Sequence, residues 1–180
     1  MKSELFREMI RPVLVLTVIC IAAAALLGAV NAWTDPIITE NARVKAEATR
    51  KEVLPGAGSF TEVQCDRQAL DITGAYKEDG GLGYVITSSH KGYGGQVVVT
   101  VGISPEGAIV GLSADVSTET SGIGSKAGRE DYIARFLGLS GNCNAVDTIT
   151  NATYSSTAVK NGVNAALAAF KAITGGGSGQ

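Results

Sequence analysis

Small and hydroxyl-bearing side chains are crowded into one short segment near the C-terminal end of the chain. The segment reads Asp147-Thr148-Ile149-Thr150-Asn151-Ala152-Thr153-Tyr154-Ser155-Ser156, and a long alanine-rich stretch follows it. We predict that Thr153 lies at or just before the first turn of a final helix. A helix begins with unpaired backbone N–H groups and the positive end of its dipole, so a phosphate placed there is stabilised. The segment is therefore a candidate phosphate site.

Two other interpretations of the same segment stay open from the residues alone. Thr153 or Ser155 is also a suitable N-cap, which is the more common use of these residue types at a helix start. In addition, Asn151-Ala152-Thr153 is a glycosylation sequon, a tripeptide that often occurs by chance.

Two further loops combine glycine with polar residues: Lys91-Gly92-Tyr93-Gly94-Gly95 and Glu119-Thr120-Ser121-Gly122-Ile123-Gly124. Neither contains the Gly-x-Gly-x-x-Gly pattern or a P-loop. The single histidine, His90, has no motif around it, so a Ser-His-Asp set is not indicated. The cysteines form no C-x-x-C pair that would suggest zinc. We therefore expect no catalytic side chain and no metal, and instead a site that binds through backbone groups and hydroxyls.

The elements that would position these loops indicate an α+β fold, with an antiparallel sheet packed against helices. Strand-like runs occur at residues 60–65, 84–87, 96–103 and 108–116, and the turn Ser104–Gly107 makes the last two a hairpin. A helix is predicted at 129–137, ending at Gly138. The final helix, 155–173, has one apolar face to pack on the sheet, which consists of Val159, Val163, Ala166, Phe170 and Ile173.

The N-terminal part contains no charged residue from Pro12 to Thr34. A helix of about 20 apolar residues spans a bilayer, so we predict a retained transmembrane helix at 12–34. The alternative, a cleaved signal peptide, usually has a shorter apolar core. Lys2, Arg7 and Arg11 favour a cytoplasmic N-terminus, residues 1–11. A helical stalk at 35–54, a folded domain at 55–174 and a flexible tail at 175–180 would follow.

The net charge bears on the kind of partner, and the cysteines bear on the presence of a disulfide. The chain has 180 residues and a net charge of −2. This mild acidity argues against a nucleic-acid partner, which calls for a basic face. Cys65 and Cys143 would pair only in an oxidising compartment, and we favour free thiols.

The three loops together resemble those of the FMN-binding domain family. Residues 147–153 are similar to its motif Asp-x-x-Ser-Gly-Ala-Thr, with Thr150 in place of Ser and Asn151 in place of Gly. Asn is the residue that best replaces Gly where φ is positive. Residues 119–124 resemble its Glu-Thr-Pro-Gly-Leu-Gly loop, with Ser121 and Ile123 as mild departures. Residues 91–103 resemble its glycine-rich turn and following strand.

This resemblance implies a covalent cofactor. In the family a dedicated FMN transferase esterifies the last threonine of the motif with FMN taken from FAD, so Thr153 is the expected FMN phosphoryl threonine. We expect the flavin ring to lie along residues 120–124, near Tyr93 or Tyr84, and Glu119 to orient or tune it. The alternatives are that Tyr93 is an ordinary core aromatic and that Glu119 is only a surface charge. The remaining cofactor-binding residues expected are Thr120, Gly122, Ile123, Gly124, Asp147, Thr150, Ala152 and Ser155.

Length and architecture are most like those of the G subunits of Rnf-type complexes. Those complexes couple electron transfer between ferredoxin and NAD+ to Na+ or H+ transport. The resemblance implies an electron-relay subunit without turnover of its own, in the bacterial cell (inner) membrane. Its flavin domain would lie on the extracytoplasmic side, with iron–sulfur and flavin subunits, membrane lipid and the transferase as partners. Alternatives are a C-type subunit of the Na+-pumping NADH:quinone reductase, or an anchored scaffold domain without cofactor.

Overall fold

The computed structural model describes the backbone of residues 2–175 and the side chains of residues 10–175. Its contacts divide the chain into two units, Met1–Ala46 and Glu47–Gln180. An antiparallel sheet with helices forms in the second unit, and a long apolar helix begins in the first. The predicted α+β class with an N-terminal apolar helix is therefore confirmed. The predicted boundaries of span, stalk and domain stay predictions, and the predicted tail beyond Gly175 lies outside the described residues.

The first helix, α1 (Lys2–Val53), contains Pro12 and Pro36 within it. It is long and apolar enough, by length and composition, to cross a membrane. From Ile10 to Val44 its large apolar side chains are exposed, as lipid-facing side chains would be. Gly56, in the left-handed region at φ 88°, follows the helix where the sequence predicted its end.

The sheet is a meander in which each strand pairs antiparallel with the next along the chain. Its strands are β1 (Phe60–Glu62), β2 (Gly74–Glu78), β3 (Tyr84–Lys91), β4 (Gln96–Ile103) and β5 (Ile109–Asp115). The predicted β4–β5 hairpin is present, and Gly107 has φ 89° in its turn. Strand β2 was not predicted, because its sequence begins with glycine and ends with charged residues that strands usually avoid.

Helix α3 (Thr153–Gly175) covers one face of the sheet through the apolar face that its sequence predicted. Val159, Val163 and Ala166 are fully buried there. The helix approaches the sheet closely at Gly162, where a Cβ would lie 2.8 Å from both Ser88 Oγ and Val99 Cβ. The hydroxyl of Ser88 donates to the Gly162 carbonyl at 3.2 Å. This contact sets how α3, and thus Thr153 at its start, lies on the sheet.

The end of α1 packs elsewhere on the same sheet, within the second unit. Val53 and Leu54 form a small apolar cluster with Val85. A Cβ at Gly102 or at Gly111 would lie 2.1 Å from the Val53 carbonyl oxygen. Only glycine at these two strand positions allows the helix end to approach so closely.

The segment after the 119–124 loop differs from the single helix predicted at 129–137. The structure has a 3-10 helix (Gly124–Gly128), then α2 (Glu130–Ile133), then a second 3-10 helix (Ala134–Phe136). The last of these helices ends at Phe136, and the chain then pairs with the sheet edge: Gly138 N–H donates to the Ile109 carbonyl, and Ile109 N–H donates to the Leu139 carbonyl. Gly138 has φ 78°, as expected of a helix stop.

The two cysteines of the second unit lie near different parts of α3. Cys143 is buried and its thiol donates to the Lys160 carbonyl at 3.4 Å, whereas Cys65 lines a groove with Ala172. Positions 160 and 172 are separated by about 18 Å along a helix, far beyond disulfide reach. Both are free thiols, and burial raises the pKa of the Cys143 thiol.

Candidate functional site

A cavity of about 420 Å³ opens where the glycine-bearing loops meet the start of α3. This volume falls in the usual range for small-molecule sites, about 300–1,000 Å³. The sheet brings the loops together because β3 ends and β4 begins at the 91–95 turn, and β5 leads to the 119–124 loop. The cavity is lined by Tyr93, Thr120, Ile123, Gly124, Asn151, Ala152, Thr153, Tyr154 and Ser155.

Thr153 is the first residue of α3, and its side chain is exposed. The preceding turn depends on Asn151, which has φ 66°, a left-handed conformation that Asn tolerates better than most residues. Ala152 follows it, buried, with its N–H donating to the Ile149 carbonyl at 3.0 Å. The expected helix start at Thr153 is therefore present, and Asn151 adopts the positive φ expected of it.

Side-chain capping does not account for the hydroxyls at this helix start. Ala152 holds the cap position and has no polar side-chain atom. The Ser155 hydroxyl donates to Glu119, and the Ser156 hydroxyl donates to the Ala152 carbonyl at 2.8 Å. The Thr153 hydroxyl takes part in none of the hydrogen bonds found among the described residues. It is left available at the cavity.

The backbone N–H groups of the first turn are also available. Within the described part of the chain, the N–H groups of Thr153, Tyr154 and Ser155 meet no acceptor. Unpaired donors at a helix start bind anions well, and the helix dipole adds a favourable field. The structure thus places unpaired backbone donors, of the kind that suit a phosphate, directly beside the Thr153 hydroxyl.

Glu119 is only 7% exposed and lies beneath the cavity rather than at the protein surface. One carboxylate oxygen, Oε1, accepts from the N–H groups of Gly94 and Gly95 at 3.0 and 3.2 Å. The other, Oε2, accepts from the Tyr93 N–H at 3.2 Å and from the Ser155 hydroxyl. Burial raises the pKa of this carboxyl, but the four hydrogen bonds outweigh it and hold the pKa below its usual range. The alternative that Glu119 is a surface charge is wrong.

Glycine is required where the 92–95 turn crosses the Thr118–Glu119 backbone. A Cβ at Gly94 would lie 2.2 Å from the Thr118 carbonyl oxygen, and one at Gly92 would lie 2.5 Å from Glu119 Oε1. Gly124 is similarly confined, because a Cβ there would lie 2.7 Å from Ser155 Oγ. The spacing of these glycines therefore reflects close backbone approach around one carboxylate.

Two tyrosines stand at the mouth of the cavity. Tyr93 and Tyr154 are 74% and 71% exposed, and their ring centroids are 6.3 Å apart at an angle of 50°. Tyr154 was missed as a site residue, although its position next to Thr153 was the available signal. Tyr84 is not part of the site: it starts β3, at the opposite end from the 91–95 turn, and packs edge-on against Phe170.

Besides Glu119, three of the expected binding residues lie outside the cavity lining. Asp147 and Thr150 are exposed in the turn before α3. Gly122 has φ 76° and donates its N–H to the Ser125 hydroxyl at 2.9 Å, so it shapes the loop. The structure brings the others together, either in the cavity wall or, for Glu119, beneath it.

The residues present fit FMN in two respects. The unpaired N–H groups and hydroxyl at the start of α3 suit its phosphate. The aromatic and apolar lining from Tyr93, Ile123 and Tyr154 suits a planar ring.

Comparison with known proteins is consistent with this geometry. Residues 92–168 match the model of the FMN-binding domain. The chain is 26% identical over 171 aligned residues to the G subunit of the proton-translocating ferredoxin:NAD(+) oxidoreductase complex of Clostridium ljungdahlii, covering 89% of this chain and 91% of the relative. It is 28% identical over 188 residues to the G subunit of the Na(+)-translocating ferredoxin:NAD(+) oxidoreductase complex of Acetobacterium woodii, covering 89% and 91%.

A relative from Methanosarcina acetivorans extends the same pattern. The G subunit of its ion-translocating oxidoreductase complex is 27% identical over 176 residues, covering 89% of this chain and 94% of the relative. The predicted resemblance to FMN-binding domains and to G subunits is confirmed.

Proposed function

We infer that this chain, whose residues 92–168 match the FMN-binding domain, is a flavin-carrying electron-transfer subunit of an ion-translocating ferredoxin:NAD+ oxidoreductase complex. We further propose that the FMN is covalent, joined by a phosphoester to Thr153. In this role the chain relays electrons inside an Rnf-type complex and has no turnover of its own. The coupled ion is Na+ or H+, since relatives of both kinds are similar to the chain.

The observation that carries the covalent proposal is the free hydroxyl of Thr153 at an unpaired helix start. The side chain is exposed beside the cavity, and its neighbours Ser155 and Ser156 have hydroxyls engaged elsewhere. An acceptor for phosphoryl transfer needs an accessible oxygen and a place for the phosphate charge. Among residues 153, 155 and 156, only Thr153 combines both.

The residues around the cavity have separate tasks in this proposal. The N–H groups at the start of α3 hold the phosphate, and Tyr93, Ile123 and Tyr154 hold the planar ring. Glu119 fixes the glycine turn that carries Tyr93. When bound, FMN supplies the electron-transfer chemistry, while the protein supplies position and electrostatic environment.

The long apolar helix supports a membrane-bound chain. We propose that α1 is a single-pass anchor with a cytoplasmic N-terminus, because Lys2, Arg7 and Arg11 precede the apolar run. The flavin domain then lies on the extracytoplasmic side, where a covalent link prevents loss of the cofactor. Its partners are membrane lipid, the other subunits of the complex and, during maturation, an FMN transferase.

Intact mass tests the attachment directly. The full chain is co-expressed with an FMN transferase and purified in detergent. Transfer from FAD forms the Thr153 phosphoester and releases AMP, so we expect a mass gain of one FMN less one water. The gain disappears in Thr153→Ala and persists in Thr148→Ala, an exposed threonine at a position that the family motif leaves unspecified.

The outcomes separate the alternatives. An adduct that persists in Thr153→Ala contradicts the acceptor assignment, whereas no adduct on the unaltered chain favours a scaffold without cofactor. Co-purification tests the complex: ferredoxin-dependent NAD+ reduction with iron–sulfur subunits supports an Rnf-type assembly. Quinone-dependent NADH oxidation instead supports the C-type subunit of the Na+-pumping reductase.

A further inference from the structure

Glu119 is one of only two buried carboxylates among the side chains that the structure describes, and the other, Glu78, lies elsewhere. Glu119 contacts two parts of the cavity wall. Ser155 donates its hydroxyl to Oε2, and a Cβ on Gly124 would lie 2.9 Å from the same oxygen. The carboxylate therefore lies one layer beneath the cavity.

The charge of Glu119 is hydrogen-bonded but not paired with a cation. Its donors are one hydroxyl and the backbone N–H groups of residues 93–95. No lysine or arginine in the described part of the chain forms an ion pair with it. Neutral dipoles stabilise a negative charge without cancelling it, so a field remains at the adjacent cavity. In a buried setting that field is screened much less than in water.

We propose that Glu119 is the positioning and potential-setting residue of this site: its buried, ionised carboxylate fixes the glycine turn and the first turn of α3, and disfavours the addition of electrons to a flavin in the cavity. The inference rests on the proposed FMN site. A flavin that gains electrons without taking up an equal number of protons becomes more negatively charged. A fixed negative charge nearby opposes that change. The lowered pKa of the Glu119 carboxyl is consistent with ionisation at neutral pH.

Glu119→Gln removes the charge while preserving most of the shape. The amide oxygen still accepts from Gly94 and Gly95, and the Ser155 hydroxyl can turn to accept from the new amide group. Only the Tyr93 N–H loses its acceptor. The readout is the midpoint potential of FMN on the full, flavinylated chain, followed by spectroelectrochemistry. We expect a shift to more positive potential, equivalent to about tenfold in the reduction equilibrium, or about 30 mV for a two-electron couple.

Glu78→Gln is the matched control. Glu78 is also buried, at 4% exposure, and accepts from the Leu82 N–H at 2.9 Å, with the other oxygen facing Gly58 N–H. Glu78 is the last residue of β2, which lies next to the Tyr84 end of β3. The 91–95 turn is at the other end of β3, about 23 Å away along the strand. We expect its substitution to leave the flavin potential unchanged.

Ser155→Ala supplies a second, independent test that keeps the charge. Losing the hydroxyl donor leaves more negative charge on Oε2, so we expect a shift to more negative potential, opposite to that of Glu119→Gln. A purely structural role would move both variants in the same direction. The inference is overturned if the midpoint potentials of the Glu119→Gln and Ser155→Ala proteins shift in the same direction. It is also overturned if the potential of the Glu119→Gln protein equals that of the Glu78→Gln protein.

Failure of the proposed function gives a different result. An unaltered chain that acquires no flavin mass after co-expression overturns the FMN site and this inference with it. A flavin adduct on all variants with identical potentials overturns only the role of Glu119. Should Glu119→Gln not fold, the sign of the Ser155→Ala shift decides alone, since a positive or zero shift contradicts the charge argument.

Discussion

The hydroxyl of Ser155 donates a hydrogen bond to the carboxylate of Glu119, 36 positions earlier in the chain. Because Glu119 also binds the N–H groups of Tyr93, Gly94 and Gly95, one side chain joins the glycine turn, the 119–124 loop and the start of α3. The four donors share this one carboxylate as their acceptor, so removing it would leave all four without a partner. The cavity is thus shaped by the protein itself before any cofactor enters.

The acid stability of the folded domain should depend on Glu119. Its folded pKa is lowered, so its contribution to stability is present above the unfolded value, about 4.3, and is lost as pH falls through the folded value. We expect the free energy of unfolding of the full chain in detergent to fall below about pH 4.3. Glu119→Gln should be less stable at neutral pH and show a weaker acid dependence. Denaturant titrations at several pH values measure this, and equal acid slopes in both proteins would contradict it.

Asn151 should be replaceable by glycine but not by a β-branched residue. Its φ of 66° is open to glycine without steric cost, whereas a left-handed conformation costs other residues about 1–2 kcal/mol. We expect Asn151→Gly to keep FMN attachment and Asn151→Val to lower both stability and the fraction flavinylated. Intact mass and denaturant midpoints measure the two effects. Thr148→Val, an exposed neighbour with negative φ, is the control and should change neither.

Tyr93 and Tyr154 should matter for flavin binding and hardly at all for folding. Both rings are mostly exposed, so each alanine substitution should change stability by no more than about 0.5 kcal/mol. Stacking of an aromatic ring on a planar base is worth about 1–3 kcal/mol, so each loss should weaken the binding of free FMN about tenfold or more. Titration of FMN into the Thr153→Ala chain measures this without covalent attachment.

A matched control for the tyrosines is Leu82→Ala, since Leu82 is also exposed but lies in the β2–β3 turn. It should leave FMN affinity unchanged. Equal affinities for the Tyr93→Ala, Tyr154→Ala and Leu82→Ala proteins would show that the tyrosines do not contact the ring.

Gly162→Ala should destabilise the domain although it lies within a helix. Alanine normally gains about 1 kcal/mol over glycine in a helix interior. Here its Cβ would lie 2.8 Å from Val99 Cβ, a rigid neighbour on β4, and overpacking costs about 1–3 kcal/mol. We expect a net loss of stability by thermal unfolding. The exposed neighbour Asn161→Ala is the control, and a Gly162→Ala protein as stable as that control would contradict the close packing of α3.

Much of the secondary structure follows from local patterns in the sequence. The run of β-branched residues in β4, the turn at Gly107 and the apolar face of α3 each depend on neighbouring residues, which a sequence displays directly. Strand β2 could not be predicted locally, because Gly74–Glu78 has weak strand propensity and is held by its pairing with β3. The pairing of Gly138 and Leu139 with Ile109 after the predicted helix end is likewise a contact between distant residues that local patterns do not display.

The features of the site also fall into two groups, those that local sequence predicts and those that depend on tertiary contacts. The sequence alone determined the helix start at Thr153, the turn tolerance of Asn151 and the glycine spacing, because caps, turns and backbone freedom are local properties. The burial of Glu119, its hydrogen bond to Ser155, the pairing of Tyr93 with Tyr154 and the exclusion of Tyr84 were decided only by the tertiary structure. These are contacts between residues far apart in the chain, and the packing of α3 on the antiparallel sheet creates them. The residue types alone do not specify which distant partners that packing brings together.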